Sequence, residues 1–238
     1  MTKALLFDYG GTLDTGGHHW FQVLRQAWHE VGITPDDHLA RNAYVFAERK
    51  LAEYGAVGEN DTFKILLQKK LRLELQYLYE HGAYHPLQDH SVDECAKVLA
   101  AYLDKKVCKN LTLVRPMLER LKERYTMVLV SNFYGNLCAV LRGYAIDGCF
   151  DLVIESAAVG VRKPSPDIWK RALEKARLKP EEGIAIGDSM KNDILPAASL
   201  GMHTVWLNPS GKSPDETPPN VPTTVVTNYE EMERFFLE

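Results

Sequence analysis

The feature that most constrains this chain is a recurring unit in which a short apolar run ends on a polar or acidic side chain. Lys3-Ala4-Leu5-Leu6-Phe7 runs into Asp8, with Gly10 and Gly11 just beyond. Met127 to Val130 runs into Ser131 and Asn132, Leu152 to Ile154 into Glu155, and Ile184 to Ile186 into Gly187 and Asp188. Runs this short, without polar alternation, suit strands buried on both faces. The stretches 116–124, 135–143 and 166–178 read as intervening helices, the last with Ser165 as N-cap and Pro166 as its first residue. Strands alternating with helices pair in parallel, so the expected fold class is α/β, a parallel sheet with helices on both faces. Ligands of such open sheets bind at the carboxyl ends of the strands, where these polar residues collect.

The segment from 15 to 105 breaks the alternation. Helical spacing runs through His18 to Val31, through the residues after Thr34 and Pro35, and through 63–79, where Phe63, Leu67, Leu71, Leu75 and Leu78 recur at helical intervals. Ser91 with Glu94 makes a capping-box start for a further helix, with Cys95, Val98, Leu99 and Tyr102 as its apolar stripe. These stripes read as bundle core, not as a cofactor box. The expected organisation is a core of residues 1–14 and 106–238, interrupted after its first strand by an all-helical insertion at 15–105. The stretch 208–222, rich in Pro with Gly and Ser, reads as an ordered surface loop, followed by a strand at Thr223 to Val226 and a helix at Tyr229 to Leu237. Gly211-Lys212-Ser213 imitates the end of a Walker A loop, but the required upstream glycine falls at Trp206.

Charge and cysteine usage narrow the function classes. Lys and Arg number 28 against 32 Asp and Glu, a net charge of −4, so there is no basic excess for tracking nucleic acid or an anionic membrane. The early apolar run, Ala4 to Phe7, is far short of a signal-peptide core or a membrane span, and the expected location is the cytoplasm. Cys95, Cys108, Cys138 and Cys149 form no C-x-x-C pair and are expected to be reduced, buried thiols.

Asp8-Tyr9-Gly10-Gly11-Thr12, Ser131, Lys163, and Asp188 with Asp193 stand in the order and context of four motifs. With Val-Ser-Asn-Phe from 130, Arg-Lys-Pro-Ser-Pro-Asp from 162 and Ile-Gly-Asp-Ser from 186, they resemble the haloacid dehalogenase (HAD) superfamily, and its phosphatases in particular. The resemblance covers 1–14 and 106–238, and the helical insertion matches the position of that family's C1 cap. It implies a Rossmann-like core, hydrolysis of a small phosphorylated metabolite and Mg²⁺ as cofactor.

The residue chemistry is compatible with that implication. A carboxylate at the end of a buried strand, Asp8, can attack phosphorus and form an aspartyl-phosphate. Backbone N–H groups at Gly10 and Gly11 could cradle phosphate oxygens, although an ordinary turn would also explain the glycines. Ser131 offers a hydroxyl and, with Asn132, backbone donors, or else a turn. Lys163, in a loop stiffened by two prolines, could neutralise both the carboxylate and the transferring phosphoryl group. Hard oxygen ligands at Asp188 and Asp193 favour Mg²⁺ over zinc, with helix capping the other reading of Asp193. By the resemblance, Asp8, the Gly10 carbonyl and Asp188 would be direct metal ligands, supported by Asp193 and Asn192.

One position departs from the family pattern. The phosphatases carry a second aspartate, a general acid/base, two residues after the nucleophile, where this chain has Gly10. Asp14 is the expected substitute for proton transfer, with His18 and His19 as further candidates. The departure keeps two other readings open: a 2-haloacid dehalogenase-like hydrolase and a catalytically impaired metabolite-binding protein. Lys50 lies in the insertion, where a Schiff-base lysine would stand, but without a surrounding motif it is expected to be an exposed helix charge.

Overall fold

The computed structural model describes residues 2–53, 55–86, 91–210, 221 and 223–238. Six parallel strands form one sheet: β1 (Ala4–Phe7), β2 (Thr126–Ser131), β3 (Leu152–Glu155), β4 (Gly183–Gly187), β5 (His203–Leu207) and β6 (Thr223–Val226), in the spatial order β3-β2-β1-β4-β5-β6. The α/β class expected from the alternation is the fold observed. β5 was not singled out from sequence, although its Thr204-Val205 pair lies between Gly201 and Pro209.

β1 is buried along its whole length because helices cover both faces of the sheet. Its side chains alternate: Leu5 and Phe7 join the larger core shared with the helical insertion, while Ala4 and Leu6 pack with Ile168 and Trp169 of the helix Asp167–Ala176. The strand order reverses between β1 and β4, which opens a crevice at their carboxyl ends. Asp8 and Asp188 are the residues that follow those two strands.

Between β1 and β2 the chain forms α1 (Trp20–Glu30), α2 (Asp37–Leu51), α3 (Phe63–Glu80) and α4 (Val92–Lys122). The capping box at the start of α4 is present: Glu94 N–H donates to Ser91 Oγ at 3.2 Å, and Ser91 N–H to Glu94 Oε2 at 2.7 Å. Two expectations for this region need correction. The buried stripe of α4 runs through Ala96, Leu99, Ala100 and Leu103, one residue out of phase with the one read from sequence, so Val98 and Tyr102 are exposed. Ala96 and Ala100 are small enough to let α3 pack closely on this face.

The separate helix expected at 116–124 is the end of α4, with Pro116 inside it. Proline in a helix interior costs about 3 kcal/mol. Here Val114, Met117, Leu118 and Leu121 continue the buried stripe on both sides of it, and that burial outweighs the lost hydrogen bond. The four cysteines are free as expected, but Cys108 and Cys138 are exposed because they lie on the solvent sides of their helices. Among the described residues, no helix is long and apolar enough to cross a membrane. Gly211, Lys212 and Ser213, and most of the 208–222 loop, lie outside the described residues.

Candidate active site

The crevice at the switch point gathers Asp8, Gly10, Ser131, Lys163, Asp188 and Asp193 around a cleft of about 90 Å³. Lys163 Nζ, almost fully buried, pairs with Asp8 Oδ1 and lies 2.7 Å from Asp193 Oδ1. Burial alone would pull the Lys163 ammonium down, but Asp193 and Asp8 hold it above the ordinary lysine value. The other oxygen of Asp193 accepts the Ser189 N–H at 3.1 Å. Ser131, buried as a residue at the end of β2, lines the cleft, where its hydroxyl can meet an anion.

Thr12 belongs to the sequence motif, but the sequence alone assigns it no role. Its hydroxyl lies 2.9 Å from Asp8 Oδ2 and 3.1 Å from Asp188 Oδ1, and it accepts the Asp188 N–H at 3.0 Å. A hydroxyl has one proton, so it serves one of the two carboxylates at a time. Burial, followed by Asp193 and Asp8, pushes Asp188 well above the usual carboxylate range. Burial likewise raises Asp193 to about 6 against the pull of Lys163.

That strain has a chemical reading. One oxygen from each of Asp8, Asp188 and Asp193 lies within 4.8 Å of the others. Three ionised carboxylates beside one ammonium leave two negative charges, matching one divalent cation. The donors are all oxygen, with no imidazole or thiolate among them, so the set fits a hard cation better than zinc.

Asn132 holds the Lys163 loop instead of presenting its side chain to the cleft. Its Nδ2 donates to the Lys163 carbonyl at 3.0 Å, and its Oδ1 accepts the Lys163 N–H at 2.8 Å. Gly11 is at φ +98°, and an added Cβ would stand 2.6 Å from the Asp188 carboxylate oxygens, so only glycine fits there. Its N–H, expected to face phosphate, donates instead to Asp14 Oδ1 at 2.7 Å. Asp14 Oδ2 accepts the Trp20 Nε1–H at 2.8 Å. The buried Asp14 therefore braces the loop after β1 against the first residue of α1. Glu155 also lies outside the cleft, where it accepts backbone N–H groups of the loop after β2. Lys50 is exposed and pairs with Glu53 at 2.8 Å.

Burial pushes Asp14 up to about 7 despite its two N–H donors. Its folded value lies above that of an unfolded aspartate, so its stabilising contribution is complete below about pH 4 and is lost as pH rises through 7. Urea unfolding should show the wild type losing up to about 4 kcal/mol between pH 4 and pH 8, and Asp14→Asn losing less. Equal losses in both proteins would refute this account of Asp14.

A larger cavity of about 350 Å³ adjoins the cleft and shares Gly10, His19, Asn132 and Asn192 with it. Trp20, Phe63 and Phe133 give it aromatic walls, with Phe63 stacked on Phe133 at 6.4 Å. Facing them is a polar group that sequence reading missed. Lys70 of α3, buried, pairs with Glu48 of α2 and sits 4.2 Å from the Tyr44 ring centroid. Tyr134, from the loop after β2, donates its hydroxyl to Glu48 at 2.7 Å. Glu74 lies fully buried with no hydrogen-bond partner for either oxygen among the described residues, and burial raises it to about 8, so it is mainly the neutral acid at pH 7. His19 Nδ1 accepts the Phe21 N–H at 3.1 Å and so caps α1. The residue keeps an exposed face, yet the crowding of its ring and the nearby Lys70 ammonium hold it below the ordinary imidazole value.

Residues 2–201 match the haloacid dehalogenase-like hydrolase family. The chain belongs to the haloacid dehalogenase-like hydrolases. Over 92% of its length this hydrolase is 31% identical to a glyceraldehyde 3-phosphate phosphatase of Methanopyrus kandleri, covering 89% of that protein. It is 33% identical over 40% of its length to the haloacid dehalogenase-like hydrolase domain-containing protein 3 of Xenopus laevis, but the match spans 38% of that protein. In fold it resembles the HAD-hydrolase YfnB of Bacillus subtilis, solved bound to magnesium, at 17% identity and a TM-score of 0.58, covering 100% of this chain and 99% of that one.

Proposed function

We propose that this hydrolase is a Mg²⁺-dependent phosphatase of a small phosphomonoester and that it works through an aspartyl-phosphate on Asp8. The observation that carries this reading is the convergence of Asp8, Lys163, Asp188 and Asp193 on one cleft beside Ser131. The Methanopyrus relative, a glyceraldehyde 3-phosphate phosphatase, supports a small phosphorylated metabolite as substrate.

Thr12 and Lys163 hold the two oxygens of Asp8 and so restrict its rotamer for in-line attack. An Asp8 oxygen bonds to phosphorus as the bond to the leaving oxygen breaks. Lys163 neutralises charge on the nucleophile and on the phosphoryl group, while Ser131 and the backbone N–H groups of Gly10 and Asn132 take phosphoryl oxygens. Gly11 contributes through its backbone shape, since its N–H is committed to Asp14. Mg²⁺ held by Asp8, the Gly10 carbonyl and Asp188, with Asp193 and Asn192 in support, would clamp the phosphoryl oxygens and offset their repulsion from Asp8.

Asp14 titrates near neutrality, the range suited to proton transfer, and would serve in it once Trp20 releases Oδ2. On that assignment, Asp14→Asn changes the pH profile of turnover. Residues 15–105 act as a cap over a core of 1–14 and 106–238. The Tyr134–Glu48 bond and the donation from Asn136 Nδ2 to the Asp61 carbonyl at 2.9 Å support a closed arrangement that excludes water.

The purified protein should release phosphate from p-nitrophenyl phosphate in Mg²⁺ and lose most of that activity in EDTA. Chloride release from a 2-chloroacid without phosphatase turnover would replace this reading with carbon–halogen hydrolysis. Saturable binding of phosphorylated metabolites without turnover of any would leave a binding protein.

A further inference from the structure

We propose that His19 is a catalytic hydrogen-bond donor to the oxygen that bridges phosphorus and the leaving group. The inference rests on the phosphatase reading and adds a residue to its machinery. A phosphomonoester with phosphorus against Asp8 and its organic part in the aromatic cavity must place the bridging oxygen where the two spaces meet. Gly10, His19, Asn132 and Asn192 line both. Gly10 has no side chain, and the Asn132 amide is spent at both ends on the Lys163 backbone. Asn192 belongs to the same helical turn as Asp193, Met190–Ile194, on the carboxylate flank. His19 enters from the helical side, as the N-cap of α1.

The cap also assigns the tautomer. Nδ1 accepts the Phe21 N–H, so it carries no proton, and the neutral ring keeps its proton on Nε2. The nitrogen left for the cleft is thus a donor. Donors aimed at an oxygen that gains charge in the transition state act differentially on the rate.

In the step itself an Asp8 oxygen forms its bond to phosphorus, and the P–O bond to the leaving group breaks with its electron pair on the bridging oxygen. His19 shares its Nε2–H with that oxygen but keeps the proton. The leaving alkoxide takes its proton from Asp14, and the Asp14 carboxylate then takes one from the water that attacks the aspartyl-phosphate, which releases inorganic phosphate and restores the Asp8 carboxylate.

The test compares an alkyl phosphate, whose leaving oxygen needs help, with p-nitrophenyl phosphate, whose leaving group is already stable. His19→Asn retains a strong N-cap but is too short to reach the junction. Its kcat on the alkyl phosphate should fall about 100-fold, and that loss should exceed the loss on p-nitrophenyl phosphate by about tenfold or more. His19→Gln, which again offers an N–H at the end of its side chain, should recover part of the alkyl activity. Equal losses on both substrates, or no loss on either, overturn the proposal while leaving the phosphatase reading intact. A wild type that hydrolyses neither ester in Mg²⁺ overturns both.

Discussion

Asp8→Asn is expected to lower phosphatase turnover on the order of 10⁴-fold or more while leaving the protein folded. The amide is nearly isosteric with the carboxylate, so the end of β1 should be undisturbed. Thr12 can still donate to the remaining oxygen, and Lys163 keeps Asp193 at 2.7 Å. An amide lacks the charge and nucleophilicity to open a covalent path. Removing one negative charge beside Asp188 and Asp193 also relieves repulsion, so stability should stay within about 1 kcal/mol of the wild type. Chemical denaturation and single-turnover phosphate release, measured on the same preparation, decide the matter. A folded variant with turnover within tenfold of the wild type would remove Asp8 as nucleophile and the aspartyl-phosphate with it.

How much of this was legible beforehand follows from the range of each interaction. β1, β2, β3 and β4 were readable because burial on both faces writes an uninterrupted apolar run into the sequence, and the acids that close β1 and β4 meet wherever those strands pair in parallel. The Asp14–Trp20 hydrogen bond was not legible, because nothing local distinguishes an aspartate braced by an indole from a solvated helix cap. Glu48 and Lys70 are 22 positions apart on two helices. Each reads as a charge on an amphipathic surface, and only the packing of α2 on α3 beneath the core loop carrying Tyr134 buries the pair. Pro116 misled for the opposite reason. Its local rule, that proline ends a helix, was overridden by a buried stripe extending beyond it in both directions.

Lys163→Met should damage stability and activity together, and the pH dependence of the stability loss identifies its cause. The methionine keeps most of the buried stem next to the Trp169 ring, which lies 5.2 Å from the wild-type ammonium. What disappears is the cation between Asp8 and Asp193, and stranding buried carboxylates in this way costs about 3–5 kcal/mol. With Lys163 present, Asp193 already stands near 6, so its contribution to stability is complete below about pH 4 and is lost as pH rises through about 6. Without Lys163 its folded value climbs further, and the loss extends to higher pH. The deficit of the variant should therefore be largest near pH 8 and shrink towards pH 5, where Asp193 takes up a proton instead. Loss of the charge that faces the phosphoryl group should also cost on the order of 10²- to 10³-fold in kcat. Urea unfolding of both proteins at the two pH values reads the first effect. A deficit that does not change with pH would mean that the variant is hurt by packing, and that Lys163 does not hold Asp193 in its charged form.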